Sequence, residues 1–167
     1  LHERGYQLML IEEPYLTAGS EAFQTALENG YLVSDSSGQP HLLDRLVVSK
    51  HRGGIIDFTD PAAVDWWQQK HRDLLEMGVD GFWTDFGEYL PDDAILSNGT
   101  SGSQTRNRYP DLYQQTVADS MAAHGRTPLL WSRAGWMGTQ RMPVHWGGDS
   151  DTTFSSLAAT LRGGLSL

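Results

Sequence analysis

The chain contains no cysteine, so neither a disulfide framework nor thiolate chemistry is available to it. It has no apolar run of transmembrane length. It is also poor in positive charge, because 12 Lys and Arg residues stand against 21 Asp and Glu residues, for a formal net charge of −9. That balance argues against nucleic acid or an anionic membrane as the main partner, and it fits a neutral or weakly charged substrate.

What the 167 residues do contain is a globular composition, with 39% hydrophobic and 20% charged residues. That length is enough for one domain with a real core. The first residues resemble neither a signal peptide nor a natural start, and the segment 163–167 is interpreted as the beginning of a new strand. We therefore expect both ends to be cuts inside a larger domain.

Strand-like and helix-like segments alternate along the chain. Short apolar runs ending in polar residues predict strands at 6–11, 55–58, 79–84 and 128–131. Helical spacing with caps and glycine stops predicts helices near 20–29, 60–78, 111–124 and 154–161. This alternation is typical of parallel strands with crossover helices, although an eight-stranded barrel needs about 250 residues. We predict an α/β fold, the middle βα units of a partial (β/α)8 TIM barrel; the alternative is a small open α/β sheet.

The domain organisation follows from the same pattern. Residues 1–167 are predicted to form a fragment of a single catalytic barrel domain, with a small hairpin-like excursion at 31–54. A long polar loop over 91–108 follows the strand at 79–84, and loops of that length inside compact domains are usually functional.

The segment 79–88 places two carboxylates directly after a predicted buried strand. Buried carboxylates are costly unless they are paired or used, and ligands bind at the carboxyl ends of parallel strands. Asp85 and Glu88, separated by Phe86 and Gly87, can therefore face one pocket, with one as a nucleophile and the other held by charge partners. The alternative is structural: Asp85 caps the strand end and Glu88 faces solvent.

The letters H-R-D-L at 71–74 and D-F-G at 85–87 imitate two protein-kinase motifs. The kinase catalytic loop needs an Asn five residues after its Asp to hold magnesium, and Gly78 stands at that position. The first motif also falls inside a predicted amphipathic helix. We therefore set the kinase hypothesis aside and interpret His71 and Arg72 as ordinary helix surface.

A second candidate segment, 133–149, follows the strand predicted at 128–131 and so lies at the same edge as Asp85. It offers an arginine, a histidine, two tryptophans whose faces can stack on sugar rings, and a terminal carboxylate: Arg133, His145, Trp136, Trp146 and Asp149. The alternative is a glycine-rich surface loop whose tryptophans pack on the core. A metal site at His145 and Asp149 is not predicted, because a lone His with scattered Asp residues lacks a specific ligand spacing.

Two carboxylates on neighbouring loops of one barrel face are the equipment of glycoside hydrolysis. The residues W-T-D-F-G-E at 83–88 resemble the nucleophile signature of glycoside hydrolase family 31. R-A-G at 133–135, followed by P-V-H-W-G-G-D at 143–149, resembles the acid/base segment of that family. The stretches 53–61 and 161–166 extend the resemblance over nearly the whole chain.

The resemblance implies a (β/α)8 barrel of retaining enzymes that act on α-glycosides, with no metal and no organic cofactor. It implies Asp85 as the nucleophile, Asp149 as the general acid/base and Glu88 as a supporting carboxylate. The residues implied to bind the sugar are Trp83, Phe86, Arg133, His145 and Trp146. The expected partners are an α-linked oligosaccharide or glycoside and the remainder of the barrel, with no nucleic acid and no membrane.

The identity of the sugar depends on conflicting local features. Trp83, two residues before Asp85, favours an α-glucosidase, because related bacterial α-xylosidases carry Lys there. The segment 135–141 is closer to the α-xylosidase branch and 85–91 to the sulfoquinovosidase branch. The alternative of another class is a non-catalytic carbohydrate-binding fragment, although both carboxylates and Arg133 are intact. Because the other barrel strands are absent, we predict that the isolated chain is inactive.

Overall fold

The structure is a computed structural model that describes residues 1–46 and 48–166. In chain order its strands are β1 (Met9–Glu12), β2 (Tyr15–Thr17), β3 (Leu42–Leu43), β4 (Gly53–Ile55), β5 (Gly81–Thr84), β6 (Leu130–Ser132) and β7 (Val144–His145). Its helices are α1 (Glu21–Glu28), α2 (Pro61–Glu76), α3 (Gly102–Thr105), α4 (Tyr109–Ala123) and α5 (Phe154–Ser166). Short 3-10 turns occupy His2–Arg4 and Thr139–Arg141.

Four of the strands form one parallel sheet in the order β1-β5-β6-β7. The residue pairs in register across its three interfaces include Met9 with Gly81, Phe82 with Leu130, and Trp131 with Val144. The connection from β1 to β5 contains α2, and the connection from β5 to β6 contains α4. The predicted α/β alternation is therefore confirmed, and the carboxyl ends of the four strands share one edge.

The helix α2 begins and ends where the sequence predicts. Asp60 is its N-cap and accepts a hydrogen bond from the Ala62 N–H at 2.9 Å, while Pro61 occupies the first helical position. Gly78 follows the helix with a φ of +102°, a conformation that favours glycine. The chain can therefore turn at once into β5.

The core beneath the site is aromatic. The Phe58 ring lies 5.7 Å from the Trp67 ring of α2 and 5.6 Å and 5.5 Å from the rings of Tyr109 and Tyr113 of α4. Both tyrosines are fully buried. Since α2 packs on α4, and α4 contacts β5 and β6, this cluster fixes the helices against the strands that bear the site.

A second, antiparallel sheet has the strand order β2-β4-β3. The prediction that 55–58 is a strand of the parallel sheet is therefore wrong, because an apolar run indicates a buried strand but not its partner. A Cβ on Gly53 would lie 2.2 Å from the carbonyl oxygen of Leu16, so this glycine is what permits β4 to approach β2. The β3 strand lies in the predicted excursion at 31–54, and Val47 of that excursion lies outside the described residues.

The stretch 163–166 belongs to α5, so the prediction of a new strand there is wrong. Apolar residues keep a helical spacing through both glycines, at Phe154, Leu157, Leu161 and Leu165. These four side chains are exposed, and α5 has no buried residue among those described. The segment 133–149 also contains β7, a strand of two residues and thus too short to show a periodicity.

Candidate active site

The parallel sheet places Asp85 at its carboxyl edge, immediately after β5. The Asp85 N–H donates to the main-chain oxygen of Glu12 on β1 at 3.0 Å, and the side chain is almost entirely buried. On the other side, the hydroxyls of Thr84 and Ser132 lie 2.9 Å apart and tie the ends of β5 and β6 together. Asp85 is therefore held by both neighbouring strands.

Arg133 joins the two carboxylates that the sequence singled out. Its Nε donates to Oδ1 of Asp85 at 2.5 Å, and its Nη2 donates to Oε1 of Glu88 at 2.7 Å. Burial alone lowers the pKa of Arg133, but the hydrogen bonds and charges of Asp85 and Glu88 outweigh it and raise that pKa above its ordinary value. The guanidinium is thus committed as a positive bridge between the two carboxylates, and Glu88 does not simply face solvent.

A tight turn brings Glu88 back toward Asp85. Phe86 adopts a left-handed conformation with a φ of +60°, and Gly87 follows with a φ of +106°. The Phe86 N–H donates to Oδ1 of Asp85 at 2.9 Å, and the hydroxyl of Tyr15 accepts the Gly87 N–H at 3.1 Å. The Phe86 ring lies 4.7 Å from the guanidinium carbon of Arg133. Phe86 therefore supports the arginine that orients Asp85.

Three indoles form a wall beside this cluster. The Trp83 ring of β5 stacks on Trp131 of β6 at 5.2 Å and meets Trp146 edge-on at 5.0 Å. The main-chain N–H of Trp146 donates to the main-chain oxygen of Ser132 at 2.8 Å, and this hydrogen bond fixes the chain after β7. The Trp83 indole nitrogen is buried and has no hydrogen-bond partner among the residues that the structure describes. The sheet therefore brings together Trp83 and Trp146, which the sequence assigned to sugar binding.

His145 lines a cavity together with Arg133 and Trp146, whereas Asp149 is not one of the residues that line it. The His145 Nε2 lies 2.9 Å from the main-chain oxygen of Thr139. Asp149 is exposed and makes no hydrogen bond or ion pair within the part of the chain that the structure describes.

Over residues 1–46 and 48–166, no group of three or more His, Asp and Glu side chains is placed to hold a metal ion. Within the same ranges, none of the helices has the length and apolar character needed to cross a bilayer.

Glu13 is a third carboxylate at this edge, and the sequence reasoning missed it. Glu13 directly follows Glu12, which is in register with Thr84, so it stands level with Asp85. Burial raises the pKa of Glu13 above its usual value, and the charge of Asp85 raises it further. Its Oε2 is buried, and no donor within residues 1–46 and 48–166 reaches it. The pattern that singled out Asp85, a strand that ends in carboxylates, is also present at the end of β1.

His71 is buried, so its interpretation as helix surface is wrong. Its Nδ1 lies 2.8 Å from the carbonyl oxygen of Trp67, and its Nε2 lies 2.7 Å from the Glu12 carboxylate. Burial opposes protonation, but the charge and hydrogen bond of Glu12, with the hydrogen bond to Trp67, raise the pKa of His71. Because Glu12 also accepts the Asp85 N–H, this pair stabilises the strand end that carries Asp85.

A parallel βα sheet with a carboxylate–arginine–carboxylate cluster and an indole wall at its carboxyl edge is an arrangement found in TIM-barrel proteins that handle sugars. The family model for the glycosyl hydrolases family 31 TIM-barrel domain matches residues 1–167. The chain belongs to glycoside hydrolase family 31. The resemblance of its motifs is thereby confirmed, as is the prediction of a partial barrel.

Three known proteins that are similar to the chain are much longer than it. An α-xylosidase of Emericella nidulans is 35% identical over 100% of the chain, which covers 21% of that protein. A sulfoquinovosidase of Agrobacterium fabrum is 34% identical over 99% of the chain and 26% of its own length. The cycloalternan-forming enzyme from Listeria monocytogenes, solved with a pentasaccharide substrate, has a TM-score of 0.87 at 32% identity and covers 98% of the chain and 16% of that enzyme. The chain therefore spans only a minor part of each of these proteins.

Proposed function

We propose that the full-length protein containing this chain hydrolyses α-glycosides with retention of anomeric configuration. Asp85 attacks the anomeric carbon and displaces the leaving group, which forms a covalent glycosyl-enzyme. Asp149 donates a proton to the departing glycosidic oxygen and then takes a proton from the water that cleaves the glycosyl-enzyme. The observation that carries the proposal is the Asp85 carboxylate, which is buried at the carboxyl edge and held by Arg133.

The contacts of Asp85 support the role of nucleophile. Its Oδ1 accepts hydrogen bonds from Arg133 and from the Phe86 N–H, so one oxygen is fixed, while no side chain or main-chain group of residues 1–46 and 48–166 donates to the other. A nucleophile with a fixed carboxylate plane reaches its attack geometry with little further ordering. Glu88 accepts a hydrogen bond from Nη2 of the same guanidinium. This contact supports its role as a second carboxylate beside the nucleophile.

The position of Asp149 suits a proton donor. It lies three residues beyond Trp146, in the segment that follows β7 at the same edge as Asp85. Its side chain is exposed and has no partner among the described residues, so it is free to meet a glycosidic oxygen. In a retaining enzyme the two carboxyl groups stand about 5–5.5 Å apart across the bound sugar.

The sugar is proposed to be neutral, with an α-glucoside as the first candidate because Trp83 lies two residues before Asp85. Arg133 is paired with two carboxylates through Nε and Nη2, so the cluster carries more negative than positive formal charge and disfavours an anionic sugar. An α-xyloside and a sulfoquinovoside are the alternatives, supported by the two relatives named for those activities. A non-catalytic carbohydrate-binding role is the alternative of another class.

The test uses the full-length wild-type protein and three variants: Asp85→Ala, Asp149→Ala and Asp151→Ala. Aryl α-glucoside, α-xyloside and α-sulfoquinovoside are assayed in parallel, and NMR identifies the first anomer of the product sugar. We expect both site variants to lose at least about 10³-fold in kcat, whereas the exposed Asp151 serves as a control with little loss. Near-normal turnover of either site variant, or a β-anomer as first product, would refute the assignment.

A further inference from the structure

We propose that Trp136, with Met137, forms the subsite for the leaving group of the glycoside, and that this subsite selects leaving groups that contain a flat or apolar ring. The inference rests on the proposed function, because it assigns a second part of the same site. It concerns the loop after β6, whereas the sugar itself is assigned to Trp83, Trp146 and the Arg133 cluster.

The loop presents two large apolar side chains to solvent. Trp136 is 52% exposed and Met137 is 81% exposed. Both side chains follow β6 at the ligand-binding edge of the parallel sheet and line a cavity together with Arg133, so they are placed to contact a ligand there. An indole adds a flat face that stacks on rings, and a thioether adds a polarisable contact.

Hydrogen bonds within the loop fix its conformation, so Trp136 is held in one position at the surface. The Trp136 N–H donates to the Thr139 hydroxyl at 2.8 Å, and the Gly138 N–H donates to Oε1 of Gln140 at 2.9 Å. Gly138 has a φ of +111°, which closes the turn. A binding residue on a preorganised loop loses little conformational entropy when the ligand arrives.

Both ends of the loop are anchored to the barrel. At its start, Nε2 of Gln114 on α4 donates to the main-chain oxygen of Ala134 at 2.6 Å. At its end, Nη2 of Arg141 donates to the Asp111 carboxylate of α4 at 3.2 Å. The position of the loop relative to β6 is therefore set by α4, the helix that packs against β5 and β6.

A cavity of about 720 Å³ opens beside this loop. Trp136, Met137, Gln140 and Trp146 line it, and Arg133, which holds Asp85, lines it too. The residues that line it include no carboxylate. A volume of that size accommodates a ring beyond the one bound at the nucleophile. Because Arg133 both lines this space and holds Asp85, the space adjoins the residue that positions the nucleophile.

The chemistry of the lining defines the ligand. The indole of Trp136 and the thioether of Met137 favour an aryl group or the apolar face of a second sugar ring, and Gln140 offers an amide to a hydroxyl group. A methyl leaving group would fill none of this space. The subsite therefore predicts a preference among leaving groups that is independent of which sugar is transferred.

The test compares phenyl and methyl α-glycosides of the same sugar on the full-length protein. We expect Trp136→Ala to lower kcat/KM for the phenyl glycoside roughly tenfold, and to leave the methyl glycoside within about twofold. Trp136→Phe should restore most of the loss. Met77→Ala is the matched control, because this exposed methionine follows α2 at the opposite end of the barrel and should change neither substrate.

A binding measurement keeps this inference separate from the proposed function. Equilibrium binding of both glycosides is measured with Asp85→Ala as the background, so no turnover is needed. A preference for the phenyl glycoside that disappears with Trp136→Ala supports the subsite even if no hydrolysis is found in the wild type. If Trp136→Ala weakens the binding of both glycosides equally, or weakens the binding of neither, the proposed subsite is refuted.

Discussion

Arg133 offers the sharpest test of how the site is built, because one side chain holds two carboxylates. Each hydrogen bond between charged groups contributes about 1.5–3 kcal/mol, so two contribute about 3–6 kcal/mol before screening. The Arg133 side chain is 23% exposed and that of Glu88 is 36% exposed, so solvent reduces the sum to about 2–3 kcal/mol. If this energy orients Asp85 in the transition state, Arg133→Ala should lower kcat/KM about 30- to 150-fold.

The assay measures kcat/KM of the full-length protein on its best aryl α-glycoside, with circular dichroism to establish folding. Arg133→Lys should be intermediate, because an ammonium reaches one carboxylate and cannot bridge two. Arg126→Ala is the control: Arg126 pairs with Asp80 at 3.4 Å just before β5, at the opposite end of the same strand. A folded Arg133→Ala variant with less than a threefold loss would refute the bridging role.

Three further predictions concern charge and completeness. Because the pKa of Glu13 is raised in the folded state, ionisation of Glu13 opposes folding as the pH rises. Glu13→Gln should therefore stabilise the full-length protein by about 0.5 kcal/mol at pH 7 and should not stabilise it near pH 4, where Glu13 is protonated. Thermal unfolding at the two pH values measures the difference. The pKa of His71 is also raised, so its contribution is present below about pH 6.5 and lost as the pH rises through the folded value. The thermal midpoint of wild type should therefore exceed that of His71→Gln most at pH 6, and a constant difference up to pH 9 would contradict this. The isolated 167-residue chain should show no glycosidase turnover, and measurable hydrolysis by it would contradict the need for the missing strands.

The local sequence predicted the elements around the nucleophile well, because each depends on neighbouring residues. Asp60 and Gly78 set the limits of α2, and the apolar run before Asp85 forms β5 as predicted. The motif around Asp85 also identified the family, which the match over the whole chain confirms. Short-range patterns were sufficient for these features.

Features that depend on distant partners could not be predicted in the same way. The run at 55–58 looks like any buried strand, and it is the pairing of Ile55 with Tyr15 and of Gly53 with Thr17 that shows its sheet to be the antiparallel one. His71 lies on the apolar stripe of α2, but its partner Glu12 is 59 residues away. Tertiary pairing decides both cases, and a single sequence does not report it.

The roles of individual site residues remain predictions with uneven geometric support. Asp85, Glu88 and Arg133 make direct contacts that the sequence could only suggest. Asp149 makes none within the described chain, so its role as acid/base rests on its position after β7 and on the family motif. The bridge through Arg133 required the structure, because charge pairing across 48 residues leaves no local pattern.

The left-handed backbone at Phe86 has a consequence for the evolution of this site. A bulky residue at a φ of +60° costs on the order of 1 kcal/mol, and Asn or Gly would relieve it. Either replacement would also remove the ring that lies under Arg133 and contacts Tyr15. Selection for heat resistance alone would therefore favour Phe86→Asn. The gain in stability would be accompanied by weaker orientation of Asp85, because Arg133 would lose the ring that supports it. Selection for activity explains why a protein would retain so unfavourable a conformation beside its reactive carboxylate.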